Sequence, residues 1–117
     1  MATVDAWARP GISGGNSGVF FVLNNPTSHE DKILQAKSDV ADAVELHLTI
    51  MEGDVMKMTP QEFVEVPANS TVEFAPGGLH VMLIGLTEDI DVGDSFVVML
   101  EFENHDPIQF EATVLEP

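Results

Sequence analysis

Four residues of this 117-residue chain have types and spacing that suit a soft metal ion: His47, Met58, His80 and Met82, in the pattern H-x10-M-x21-H-x-M. Two thioethers and two neutral imidazoles are soft to borderline donors. Thioether sulfur favours Cu(I) and serves Zn(II), Mg(II) or Ca(II) poorly. None of the four ligands is charged when metallated, so such a site keeps the single positive charge of Cu(I). Glu45, Glu52 and Asp54 stand close enough in sequence to offset that charge through space. Only the two histidines should make binding acid-sensitive, because thioethers do not protonate in the usual range. From this composition, the chance of the pattern arising by accident across all four histidines is about 4 × 10⁻⁴, which makes it a strong motif.

The elements that must position these residues read as strands. Val44 to Met51 alternates, with Val44, Leu46, Leu48 and Ile50 expected on the core side and His47 on the other. Glu52-Gly53-Asp54 reads as a hairpin turn. A turn centred on Glu52-Gly53 would set His47 opposite Met58, about 5 Å away on the same face. Leu79 to Leu86 is another strand, and His80 and Met82, two apart, leave it on one face. Gly18–Asn24, Lys32–Lys37, Val55–Met58, Phe63–Val66, Thr71–Phe74, Ser95–Glu103 and Ile108–Leu115 complete the reading, with Asp39–Asp42 as a turn or a short helical turn. Seven to nine strands at this spacing, with no convincing helix, predict an all-β Greek-key β-sandwich.

Length and charge limit what such a domain can do. The chain is one domain's worth, 1–117, and can bury roughly two-thirds of its unfolded surface. It has no cysteine, which rules out disulfides, zinc fingers, iron–sulfur clusters, thiol catalysis and a blue-copper site with a Cys ligand. A formal charge of −16 opposes binding to nucleic acid or to an anionic membrane. It also argues for a monomer at low salt, and for a cation or a basic protein as the complement. No segment is apolar for long enough to span a membrane. Met1-Ala2-Thr3-Val4-Asp5 has neither a basic nor an apolar signal-peptide region, so any leader or anchor is expected outside the residues shown.

The motif and its surroundings resemble the PCuAC family of periplasmic copper chaperones. The resemblance rests on the same H-x10-M-x21-H-x-M spacing, on Val44-Glu45-Leu46-His47 and on Val55-Met56-Lys57-Met58. It extends to Pro76-Gly77-Gly78-Leu79-His80-Val81-Met82-Leu83-Ile84-Gly85-Leu86, to Gly93-Asp94, and to Asp5-Ala6-Trp7-Ala8-Arg9 near the start. It covers the chain from about Val4 to about Leu115. It implies a cupredoxin-like β-sandwich holding one Cu(I), periplasmic or otherwise extracytoplasmic. It further implies His47, Met58, His80 and Met82 as ligands. The expected recipient is a cytochrome c oxidase subunit carrying a copper centre, or another copper chaperone. The longer His- and Met-rich tail of many family members, which can take Cu(II), is not present in these 117 residues.

Other readings compete. An electron-transfer cupredoxin would cycle its copper without releasing it, but two thioethers and no thiolate hold Cu(I) too firmly for that. A non-metal interaction sandwich would make the motif accidental. No nucleophile–base pairing points to an enzyme. Met51 and Met56 read as spare thioethers at the rim, with Met56 on the ligand face. Met99 reads as core, Trp7 as a packing residue, and His29 and His105 as solvated turn residues, the alternative being that either assists a second, weak Cu(II) site. Glu30-Asp31 and Glu88-Asp89 read as solvated turns, because the ordered loop spacing of a Ca(II) site is missing.

Overall fold

The computed structural model describes residues 1–116; Pro117, the last residue of the domain expected over 1–117, lies outside them. Ten strands follow one another: β1 (Ala2–Ala8), β2 (Asn16–Asn25), β3 (Asp31–Lys37), β4 (Ala41–Glu52), β5 (Val55–Pro60), β6 (Val64–Val66), β7 (Ser70–Phe74), β8 (Leu79–Leu86), β9 (Ser95–Phe102) and β10 (Ile108–Val114). Among the described residues there is no helix. The strands form a mixed sheet in the order β5-β4-β8-β7-β2-β1-β10-β9-β3-β6, and β2 also pairs with β8. The two halves of this order fold over a shared core. Leu46, Val81 and Leu83 from β4 and β8 belong to the same apolar cluster as Ile33, Val98 and Leu100 from β3 and β9.

Period-two alternation explains the positioning of β8. Val81 and Leu83 are fully buried in the core, so His80 and Met82 must face the other way. β2 lies beside β8 and is buried on both faces from Ser17 to Phe21. Its Phe20 therefore closes the outer side of the sheet next to His80.

Four expectations are corrected. β1 was not read as a strand; Ala2, Val4 and Asp5 are exposed and the segment lacks apolar alternation. Its conformation comes from its neighbours, since it is held antiparallel to β2 and parallel to β10. The hairpin turn is Gly53-Asp54, with Glu52 opposite Val55. Gly53 takes φ +62°, the left-handed backbone that a two-residue hairpin places at its first central residue. Met99 is half-buried on the outward face of β9, while Val98 and Leu100 enter the core. Asp31 is buried and structural: it accepts backbone N–H bonds from Lys32 (2.8 Å), Asn104 (3.0 Å) and His105 (3.0 Å), tying β3 to the turn after β9.

Candidate metal centre

β4 and β8 run antiparallel with His47 directly opposite His80. Both imidazoles therefore leave the same face of the sheet. Their ring centroids are 5.7 Å apart, and the residues are only 9% and 4% exposed. Phe20 packs on the far side of His80, Trp7 lies 4.7 Å from Phe20 between ring centroids, and the Arg9 guanidinium sits 5.5 Å from the Phe20 centroid. The expectation of Trp7 as a packing residue matches this contact.

A buried imidazole must account for both ring nitrogens. His47 Nε2 lies 2.8 Å from Glu45 Oε1. An ionised carboxylate only accepts, so Nε2–H donates and Nδ1 keeps its lone pair in the neutral ring. His80 Nδ1 lies 3.3 Å from the Gly78 carbonyl, which likewise leaves the Nε2 lone pair free. The tautomers are assigned from these partners. The two remaining atoms, His47 Nδ1 and His80 Nε2, are buried and have no hydrogen-bond partner among the described residues. Burial pushes the His80 pKa below the ordinary histidine value; the Gly78 carbonyl opposes this, and His47 and Arg9 add to the lowering. The same burial favours the neutral ring, the form that metal coordination needs.

The thioethers approach from two sides. Met82 is half-buried two residues beyond His80, and Met58 on β5 is 59% exposed. Met58 and Met82 line one cavity of about 410 Å³ together with His80, Phe20, Thr49 and Met56. His47 is not a lining residue and packs against His80 beside the cavity. The expected His47–Met58 pairing is corrected: His47 lies opposite Pro60, and Met58 lies opposite Thr49. The pairing moves by an even number of residues, so Met58 stays on the His47 face, one diagonal step away.

The charges around the site divide clearly. Glu45 stands against His47, whereas Glu52 is tied to Lys57 at 2.8 Å on the hairpin. Among the described residues no three His, Cys, Asp or Glu side chains gather as a metal site, so a centre here must draw on sulfur. A larger depression of about 630 Å³ between Ser28–Glu30 and Pro67–Ala68 carries His29 and no thioether. His29 is exposed, and the His105 ring is half-buried edge-on to Phe102 with Nδ1 2.6 Å from the Asp106 carbonyl. The sequence reading did not identify Arg9, Phe20 and the Gly78 carbonyl as parts of this centre. It named Glu45 only as a charge, although its place two residues before His47 on an alternating strand signals a shared face.

Comparison with known proteins places the chain. The family described as "Putative lipoprotein LpqE-like" matches residues 1–114. The chain is 31% identical over 107 residues to "Uncharacterized protein RP573" of Rickettsia prowazekii (strain Madrid E), covering 87% of this chain and 59% of that protein. It is 32% identical over 101 residues to "Putative lipoprotein Lxx21020" of Leifsonia xyli subsp. xyli (strain CTCB07), covering 85% and 60%. It therefore spans about three-fifths of the length of these relatives.

Among solved structures, the copper-bound PCuAC domain from PmoF2 superposes with a TM-score of 0.80 at 22% identity, over 100% of both chains. The apo PmoF2 PCuAC domain gives 0.74 at 26%, over 96% of this chain and 86% of that one. The solution structure of CuI-DR1885 from Deinococcus radiodurans gives 0.69 at 24%, over 99% and 80%. The fold is the cupredoxin-like all-β fold of PCuAC domains, as the sequence implied, and on the strength of the family match the chain belongs to the LpqE-like family.

Proposed function

We propose that this domain, taken as residues 1–117, is an extracytoplasmic Cu(I) metallochaperone. It takes one Cu(I) as cargo on His47 Nδ1, His80 Nε2 and the sulfurs of Met58 and Met82. One observation carries the reading: two buried imidazole nitrogens on one sheet face have no hydrogen-bond partner among the described residues, and one of those rings lines a cavity with three thioethers, Met58 and Met82 among them. Leaving a buried polar atom unpaired costs about 1–3 kcal/mol, and coordination of a metal removes that cost. The donor chemistry selects Cu(I), and the solved fold relatives include a copper-bound and a Cu(I)-bound domain.

Transfer needs an ion that a partner's ligands can reach before the donor's depart. Met58, more than half exposed on the outermost strand, is the ligand most open to replacement. His47 and His80, buried and braced by Glu45 and Gly78, are the fixed pair. The membership of a lipoprotein-named family supports placement outside the cytoplasm, and in the periplasm for a two-membrane cell. The recipient fitted by this cargo is a copper-centre subunit of cytochrome c oxidase or another copper chaperone. No step in this role makes or breaks a covalent bond of a substrate, so the domain is not an enzyme.

The test is an anaerobic Cu(I) titration against a coloured competing chelator, on wild type and on Met58→Leu with Met82→Leu. One tight equivalent, weakened at least about tenfold in the double variant, is expected, a difference of about 1.4 kcal/mol or more. Undiminished binding in the variant moves copper to other residues. Absence of binding by wild type overturns the reading.

A further inference from the structure

Met51 and Met56 are direct cross-strand partners near the tip of the β4–β5 hairpin. By strand alternation they lie on the same face as Thr49 and Met58, the face that carries His47. They are 63% and 61% exposed, so core packing does not explain them. A strand at this edge has no need of thioethers, since β-branched residues suit it better. The Lys57–Glu52 ion pair belongs to the opposite face, as Lys57 alternates with Met56 and Met58 and Glu52 with Met51. The thioether face is therefore free of that pair. Met56 also lines the cavity formed by Met58, His80 and Met82.

We infer that Met51 and Met56 form an outer thioether station, a second and weaker Cu(I) site, through which the ion passes to and from the inner centre. The inference rests on the copper reading of that centre. Directly paired residues hold their Cβ atoms about 5 Å apart, within reach of two flexible methionine side chains meeting at one ion. Met56 and Met58 are two residues apart, about 7 Å along the strand, so an ion on the first pair lies within one side-chain swing of the next sulfur. Each step forms one copper–sulfur bond and breaks another. The ion stays Cu(I), and no proton moves, because a thioether carries none. Such a ladder lets Cu(I) exchange without first freeing a buried imidazole.

The experiment compares wild type with Met51→Leu, a nearly volume-conserving change at an exposed position outside the inner cavity. Two readouts are made anaerobically: the rate of Cu(I) transfer to and from a chelator, and the methionine ε-methyl NMR shifts during titration with Cu(I). The expected result is unchanged inner-site affinity, transfer slowed by about fivefold or more, and shifts of the Met51 and Met56 methyls as Cu(I) exceeds one equivalent. Transfer at the wild-type rate with still Met51 and Met56 methyls overturns the station while the inner site stands. Loss of inner-site affinity in this variant also overturns it, because Met51 then serves the inner site itself. Absence of any Cu(I) binding by wild type is the separate failure of the chaperone reading itself.

Discussion

Glu45 and His47 lie two residues apart on one face of β4, with Glu45 Oε1 2.8 Å from His47 Nε2. That contact decides which nitrogen of His47 is free, since the carboxylate holds the proton on Nε2 and leaves Nδ1 bare. Partners of this kind orient metal-binding imidazoles and fix their tautomer. Glu45→Ala is expected to weaken Cu(I) binding by about 10–100-fold. Glu45→Gln keeps an acceptor oxygen at the same reach and should retain most of the affinity. Chelator competition distinguishes the two, and equal losses in both would show that charge rather than orientation is what Glu45 supplies.

Acidity should act through His80. Burial lowers its pKa in the folded chain, with contributions from His47 and Arg9 against the Gly78 carbonyl. As pH falls below about 6.5, the unfolded chain takes up a proton there that the folded chain still refuses. Folded-state stability from this residue is therefore complete above about pH 6.5 and declines as pH falls through the window down to the lowered value. The urea midpoint of the apo protein at pH 7.5 and 5.5, compared with that of His80→Gln, isolates the effect. The variant should lose less on acidification, and identical changes in both proteins would refute the assignment.

Salt should stabilise the apo protein. A formal charge of −16 on 117 residues makes self-repulsion the dominant long-range electrostatic force. The Lys37–Glu101 and Lys57–Glu52 pairs are largely exposed and contribute little against it. Raising NaCl from about 10 mM to about 0.3 M shortens the Debye length severalfold. A gain of roughly 1 kcal/mol, or about 4 °C in Tm, is expected. A fall in Tm over that range would mean that specific ion pairs outweigh the repulsion.

Gly53 connects the turn to Met58, a proposed ligand. Its φ of +62° costs an L-residue with a side chain about 1–2 kcal/mol, while among the described residues no neighbour stands within 4 Å to block a Cβ sterically. Gly53→Val should therefore loosen β5, speed amide exchange from Val55 to Met58 and weaken Cu(I) binding through Met58. Gly53→Asn, a residue that tolerates this conformation, should be nearly neutral. Exchange rates unchanged in the Val variant would show that pairing along β4 holds the register without the turn.

The shared face of the candidate donors was legible because it depends on parity alone. Thioether and imidazole chemistry names a soft ion, and alternation along β4 and β8 places His47, His80 and Met82 on predictable faces whatever the packing. Even the misplaced hairpin centre left Met58 on the correct face, because the pairing moved by an even number of residues. The all-β reading stood for the same reason, since short alternating runs between turn residues identify strands locally. Non-local facts were not legible. β1 exists because β2 and β10 supply hydrogen-bond partners on both sides. Asp31 is buried because the turn at Asn104–His105 brings its amides there from more than seventy residues away. Sequence by itself determined which side chains offer soft donor atoms and which face carries them; only the tertiary structure decided which nitrogen of each histidine is free. That choice depends on Glu45 and Gly78 occupying the other nitrogen within hydrogen-bonding distance, in a site enclosed by packing that spacing along the chain does not encode.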